Sequence, residues 1–169
     1  MTWNVNDVDT TTVYSFGANP TEAGVYKVKV SSGTEMYTTD AGNRRIRFTA
    51  LVEAGAFEGY QISDGLNIDP WDKVKGFWGN FLVSTGVGRK DLAKTLSKGI
   101  GPHLIENKVA YCRYVPADAS IGRRYPEKDW VPKAVYDAFC RQQEAAADAA
   151  PVAEDNGTPE DSASFMSKL

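Results

Sequence analysis

The spacing of the large apolar residues changes twice along this chain, and that change constrains the fold more than any other feature. Residues 23–30, 44–53 and 58–63 alternate apolar and polar positions, which is the period of a half-buried strand. Residues 69–86 instead repeat large apolar groups every three or four positions, as a helix does. Alternation returns at 107–116. The pattern therefore predicts three antiparallel strands, then a helix, then at least one further strand.

The predicted helix has recognisable ends. Asp69 is positioned to cap its first turn, Pro70 is tolerated at a helix start, and Gly86 suits its end. A shorter helix is predicted at 89–99, and Pro132 opens a last one. A short strand is placed at 101–106, and 117–130 is interpreted as a long polar loop. The aromatic residues of the first helix are predicted to face the core: Trp71, Phe77, Trp78 and Phe81.

Three strands, a helix and two strands follow the order of the OB-fold, a small five-stranded barrel. We therefore predict a mainly β protein with helices (α+β): an OB-fold-like barrel with a helical insertion between its third and fourth strands, a C-terminal helix and a disordered acidic tail. A generic α+β sheet with helices on one face fits the same order and stays open. Residues 1–22 would be an N-terminal arm, 23–143 the folded domain and 144–169 the tail.

Charge is distributed unevenly along the chain. The net charge is −3, yet residues 25–143 carry 18 basic and 13 acidic side chains. Residues 144–169 carry six acidic side chains against one lysine. They contain almost no large apolar groups, so burial cannot offset the entropy lost on ordering. A mildly basic body with an anionic tail favours a polyanionic partner.

Cationic and aromatic residues share the outward faces of the predicted strands. Unpaired nucleic acid needs both kinds of group, because cations bind phosphates while flat rings stack on bases. Tyr111 is predicted to stack a base, and the loop before Pro132 to close over the bound strand. In a barrel the strands are neighbours, so these groups would form one patch. The candidate nucleic-acid-binding residues are Lys27, Lys29, Arg44, Arg45, Arg47, Tyr111, Arg113, Arg123, Arg124, Tyr125, Lys128 and Trp130.

The composition argues against catalysis. One histidine and two cysteines exclude the usual four-ligand zinc patterns, and neither a P-loop nor a nucleophile elbow is present. We therefore predict no enzymatic activity, no cofactor and no bound metal. Two alternatives stay open: an accessory protein whose barrel binds another protein, and a metal-dependent nucleic-acid enzyme using Asp64 and Asp69.

Several segments resemble the bacteriophage-encoded single-stranded-DNA-binding proteins with OB-folds. The resemblance rests on "AGVYKVKV", "RIRFTALVEAGAFEGYQISDGLNI" and "NKVAYCRYVP", and it covers about residues 20–116. It implies sequence-independent binding and protection of single-stranded DNA in phage replication or recombination, without catalysis. RNA as a ligand and self-association stay open.

The resemblance also gives the acidic tail a role. Such proteins often carry a tail that recruits replication partners and competes with DNA for the basic groove. This chain departs from their pattern by ending in "MSKL", without a terminal aromatic residue. The chain lacks an apolar run long enough to span a membrane and an N-terminal secretion pattern, so a cytoplasmic location is expected, in the host cell if the protein is phage-encoded. The tail residues with the implied role are Glu154, Asp155, Glu160, Asp161 and Phe165.

Overall fold

The computed structural model describes residues 17–149, which form a curled antiparallel sheet, a half-barrel, with three α-helices. The chain is therefore α+β, as predicted. It divides into two units after Phe139, so that the last helix begins in the first unit and ends in the second. The strands are β1 (Gly24–Val30), β2 (Glu35–Thr38), β3 (Arg44–Val52), β4 (Gln61–Asn67), β5 (Val109–Val115) and β6 (Glu127–Trp130). The helices are α1 (Trp71–Ser84), α2 (Leu92–Ser97) and α3 (Lys133–Ala149).

Strand β3 is the centre of the sheet. β4 pairs along one of its edges, while β2 and then β1 pair along the other. β5 pairs with β1, and β6 with β5. The sheet therefore runs β4-β3-β1-β5-β6, with β2 extending the edge of β3 beyond the end of β1. Alternation along β3 buries Ile46, Phe48 and Ala50, as the sequence predicted.

Strand β2 lies in the connection between the first two predicted strands, which the sequence pattern indicates to be a loop. A tight turn follows it, in which Gly42 has a φ of 84° and its amide donates to the Thr39 carbonyl at 2.8 Å. The Thr39 amide donates in turn to the Asn43 carbonyl at 2.8 Å. This turn folds β2 back onto the start of β3. As a consequence α1 follows the fourth strand, not the third, which corrects the predicted order.

Helix α1 packs on the inner face of the sheet, and its predicted range is confirmed. Val74, Trp78 and Phe81 are buried, and the Trp78 indole donates to the Asn67 carbonyl at 2.8 Å. Phe77 was predicted to join them, but its side chain is 64% exposed because the buried stripe turns away from it.

The start of α1 also differs from the prediction. Pro70 occupies the N-cap position and no side chain caps the helix. Asp69 instead binds Arg44, with the Arg44 Nε donating to Asp69 Oδ2 at 2.8 Å. The predicted capping role of Asp69 is therefore wrong.

Four further boundaries differ from the predictions. The third predicted strand begins at Gln61, because the preceding turn places Gly59 at a φ of 84°. The strand placed at 101–106 is a 3-10 turn instead, and the predicted loop at 117–130 ends in β6. α3 continues to Ala149, so the first residues of the predicted disordered tail are helical. The remaining tail residues, 150–169, and residues 1–16 of the predicted arm lie outside the described residues.

Side chains join β4 and β6, the two edge strands of the half-barrel. β4 and β6 share no backbone ladder within residues 17–149, but the Trp130 indole of β6 donates to Asp64 Oδ2 of β4 at 2.8 Å. The Lys128 ammonium donates to the Ser63 carbonyl at 2.6 Å and lies 3.4 Å from Asp64 Oδ1. Trp130 also packs against Phe81 of α1, with ring centroids 5.0 Å apart. These contacts hold the free edges of β4 and β6 together.

Candidate nucleic-acid interface

The outward side of β2, β3 and β4 forms one surface, which we call the strand face. Arg45 and Arg47 project from β3 on this side, as the alternation predicted, since Ile46 and Phe48 between and beyond them are buried. Register places a β2 and a β4 residue beside each arginine. The strand face consists of Glu35, Tyr37, Arg45, Arg47, Gly65 and Asn67.

Arg45 lies across β4. A Cβ atom at Gly65 would lie only 2.6 Å from Arg45 Nε, so glycine leaves the space that the guanidinium occupies. Arg45 Nη1 donates to Asn67 Oδ1 at 2.9 Å. Within residues 17–149 Arg45 has no carboxylate partner. Its positive charge is therefore held in place by a neutral amide and stays uncompensated.

Arg47 lies beside an acidic and an aromatic residue of β2. Its Nε donates to Glu35 Oε2 at 2.8 Å, and its guanidinium carbon lies 5.4 Å from the centre of the Tyr37 ring. The Arg47 and Glu35 side chains are 65% and 60% exposed. Ion pairs this exposed contribute about 0–1 kcal/mol, so a phosphate can replace the carboxylate at little cost.

Arg44 is separated from the other two arginines. It extends from the opposite side of β3, where its Nε and Nη2 bind the two Asp69 oxygens at 2.8 and 2.9 Å. The backbone amide of Arg44 donates to the same carboxylate at 2.9 Å. These hydrogen bonds lower the pKa of Asp69 to about 2. Arg44 therefore anchors the segment before α1, and it does not belong to the strand face.

The two lysines of β1 lie on the outward side, as predicted. Lys27 Nζ is 3.8 Å from Glu53 Oε2, whereas Lys29 has no ion-pair partner within residues 17–149. Lys29 pairs in register with Leu51, four residues along β3 from Arg47. Both lysines line an open groove of about 730 Å³ that also contains Glu53 and Glu58. The described lining of this groove thus holds two lysines and two glutamates, so it adds no net charge to the strand face.

Tyr111 does not point into solvent, which corrects its predicted stacking role. It is only 7% exposed, and its ring centre lies 5.0 Å from that of Tyr136 in α3. Val25 of β1 and Val131, just before α3, complete this cluster. The start of α3 therefore covers the outward side of β1 and β5, and no base can stack on the Tyr111 ring while it does so.

Arg113 is exposed but distant along the sheet from the arginines of β3. Arg113 pairs with Val25 at the beginning of β1, whereas Arg45 lies beside β2, beyond the end of β1. Along the sheet β1 separates Arg113 from β3, whereas Asp129, the register partner of Arg113 on β6, lines the same groove as Gly65 and Asn67 of the strand face. No register joins β5 directly to β3, so the part of Arg113 in the predicted patch stays a prediction.

The connection between β5 and β6 presents a second group of predicted residues. Arg123 Nε donates to Glu127 Oε1 at 3.1 Å. Arg124 lies over the Tyr125 ring at 5.5 Å, and Tyr125 is 69% exposed. Arg124 and Tyr125 are thus an exposed cation beside an exposed ring, the pairing that the sequence led us to expect here.

Lys128 and Trp130 make contacts that close the half-barrel and do not project from its surface. The Trp130 ring is buried, and its indole and the Lys128 ammonium both bind Asp64. The sequence analysis placed both residues in a solvent-facing loop, because the local pattern does not reveal partners that lie more than sixty residues earlier. Their predicted role of contacting DNA is therefore corrected to one of closing the sheet.

Sequence reasoning missed two exposed aromatic residues. Tyr37 was overlooked because β2 was taken for a loop, although the "DAGN" turn after "EMYT" signals a hairpin. Phe77 was assigned to the core, although the stripe through Val74, Trp78 and Phe81 is complete without it.

The two carboxylates considered as metal ligands, Asp64 and Asp69, each bind other side chains. Asp64 accepts a hydrogen bond from the Trp130 indole and forms an ion pair with Lys128, and Asp69 binds Arg44. Among residues 17–149 no group of three His, Cys, Asp or Glu side chains is arranged to hold a metal ion.

Comparison with known proteins adds no assignment: no protein-family model matches this chain, and no curated protein is significantly similar to it. In the part of the chain that the structure describes, no helix is both long and apolar enough to cross a membrane.

Proposed function

We propose that this protein binds single-stranded DNA without regard to sequence and protects it during phage replication or recombination. The observation that carries the proposal is the strand face, where Arg45 and Arg47 lie beside the exposed Tyr37 on three paired strands. Cations for phosphates and a flat ring for bases are the two groups that sequence-tolerant binding of an unpaired strand requires.

The order of the strands supports the same proposal. If β2 is counted as an addition to the connection between β1 and β3, the other strands follow the sequence and neighbour order of an OB barrel. In OB-folds the face of the second and third strands binds oligonucleotides, together with the loops after the first and fourth strands. Under this proposal β3 and β4 would take those two strand positions, and the connection carrying Arg124 and Tyr125 would take that of the second loop.

On the strand face, DNA phosphates would bind to the guanidinium groups of the two arginines. Arg45 offers a positive charge without a carboxylate partner, and Arg47 exchanges Glu35 for a phosphate. Tyr37 supplies a ring on which a base stacks for about 1–3 kcal/mol. Because both contacts address groups common to all nucleotides, affinity would vary little with sequence.

The proposal is tested by fluorescence anisotropy with a labelled dT oligonucleotide at low and raised salt. The wild-type chain should bind it, more weakly at high salt. The double variant R45A/R47A should bind dT and mixed-sequence strands more weakly alike, with a shallower salt dependence. The matched control R89A/K94A removes two exposed charges from the region of α2 and should bind as the wild type does.

Absence of salt-sensitive binding by the wild-type chain would refute the proposal.

The second candidate, an accessory protein that binds another protein, is favoured by one observation. Among residues 17–149, β2 pairs with β3 alone and exposes Met36 and Tyr37, so its second edge is open to a strand from a partner. That candidate predicts that the chain does not bind dT at either salt concentration.

A further inference from the structure

Phe77 is an aromatic side chain on the solvent side of α1. It is 64% exposed, so it forgoes much of the stabilisation that burial would give a phenylalanine ring. A single exposed apolar residue needs no functional explanation. What distinguishes Phe77 is the set of residues around it.

Phe77 lines a groove of about 280 Å³ between α1, the free edge of β4 and β6. Gly65 and Asn67 of β4 line the same groove. These two residues also hold Arg45, which lies across Gly65 and donates to Asn67. The groove therefore adjoins the strand face, and Phe77 and Arg45 flank the same short stretch of β4.

We infer that Phe77 stacks an unpaired base of the DNA strand whose phosphate is bound by Arg45. This inference rests on the proposed function and adds a second ring, on a helix, to the single ring of Tyr37 on the strand face. The groove is slightly smaller than pockets that enclose drug-sized ligands, which suits one planar ring entering from a longer chain.

Charge in the groove fixes which part of a nucleotide enters it. Asp64 and Asp129 both line it, and the single lysine there, Lys128, lies 3.4 Å from Asp64. The described lining thus has one more carboxylate than ammonium, with Arg113 beside Asp129 in register just outside it, so the lining itself favours a base over a phosphate. Every base carries an N–H donor, the N3–H of thymine included, that can donate to carboxylate and amide oxygens, and Asn80 supplies an amide on the helical side. The base would therefore enter the groove, with its phosphate outside at Arg45.

Three substitutions at one exposed position separate stacking from general hydrophobic contact. F77A should weaken dT binding by about 5- to 150-fold, which corresponds to the loss of about 1–3 kcal/mol for one stacked base. F77Y keeps the flat ring and should bind within about twofold of the wild type, whereas F77L keeps apolar volume without a ring and should resemble F77A.

An abasic oligonucleotide completes the test. On a strand of deoxyribose phosphates without bases, the F77A penalty should disappear, while the R45A penalty should persist because phosphates remain. Equal affinities of wild type, F77A and F77L for dT would overturn the inference. So would an F77A penalty that survives on the abasic strand.

Failure of the inference is distinguishable from failure of the proposed function. If R45A/R47A weakens dT binding and the Phe77 variants do not, only the base-stacking role of Phe77 is lost. If the wild-type chain does not bind dT at all, the proposed function fails and the inference with it. Because F77Y and F77L both keep a large side chain, their comparison stays decisive even if F77A disturbs α1.

Discussion

Two outward regions of the same sheet have similar sequences and different surroundings. The outward residues are Arg45 and Arg47 in "RRIRF" of β3, and Tyr111 and Arg113 in "AYCRY" of β5. On β3 the outward arginines stay at the surface beside Tyr37. On β5 the outward Tyr111 is covered by the start of α3. Alternation therefore tells which residues share a side of a strand, but not whether another segment covers that side.

The covered region stabilises the fold, whereas the uncovered one is available to a ligand. Tyr111 packs against Val25, Val131 and Tyr136, so its removal leaves a cavity. Arg47 makes its main contact with an exposed carboxylate, so its removal costs the fold little. The predictions below follow from this contrast, from the largest expected effect to the smallest.

Truncation of the covered ring should destabilise the protein. We expect Y111A to lower the free energy of unfolding by roughly 3 kcal/mol, as for other large-to-small aromatic substitutions in packed clusters. Urea denaturation measures this. Below the onset of unfolding, affinity for dT should match the wild type, and a large loss of affinity in folded Y111A would place the binding site on the covered region.

The two exposed arginines provide a matched pair across the regions. R45A should weaken dT binding by about tenfold, since a charge-assisted hydrogen bond contributes roughly 1.5–3 kcal/mol and is partly replaced by neighbouring contacts. R113A removes the same side chain from β5 and should bind as the wild type does. Anisotropy titrations compare them directly, and an equal loss in both would contradict the division of the surface.

Release of Arg47 from its carboxylate should strengthen binding. E35Q leaves the side-chain shape but removes the charge that competes with phosphate, so we expect about two- to fivefold tighter dT binding at low salt. D72N makes the same charge change on α1, where Asp72 is 95% exposed, and serves as the control. Tightening by D72N as large as that by E35Q would indicate a general charge effect.

The pairing of Arg44 with Asp69 should appear in stability and not in binding. The Asp69 pKa is lowered from its ordinary 3.8 to about 2, so the pair's contribution is complete above pH 4 and is lost as pH falls towards 2. D69N should therefore flatten the acid limb of the stability curve between these values and leave dT affinity unchanged at neutral pH. Thermal unfolding across that pH range measures it.

The parts of the fold that the sequence predicted are those set by local pattern. Alternation placed Ile46 and Phe48 inward and Arg45 and Arg47 outward, because the side-chain period of a strand depends on the strand alone. The 3- and 4-residue spacing located α1 for the same reason. Phe77 was misplaced because it borders the buried stripe, and only the packed sheet defines where that stripe ends.

The parts that escaped prediction depend on contacts between distant segments. Trp130 and Lys128 are held by Asp64, and Tyr111 by residues that follow β6. Nothing in the local pattern around these residues distinguishes them from exposed ones. β2 was missed for a related reason, since four exposed residues carry little apolar period and gain their strand pairing from β3.

The central claim is that an unpaired strand binds across β2, β3 and β4 and avoids the outward side of β1 and β5. Two-dimensional amide NMR spectra of the labelled protein, titrated with a short dT oligonucleotide, test this most directly. The account predicts the largest shifts at Tyr37, Arg45, Arg47 and Asn67, with little change at Tyr111 and Arg113. Shifts concentrated at Tyr111 and Arg113, with the strand face unaffected, would contradict it.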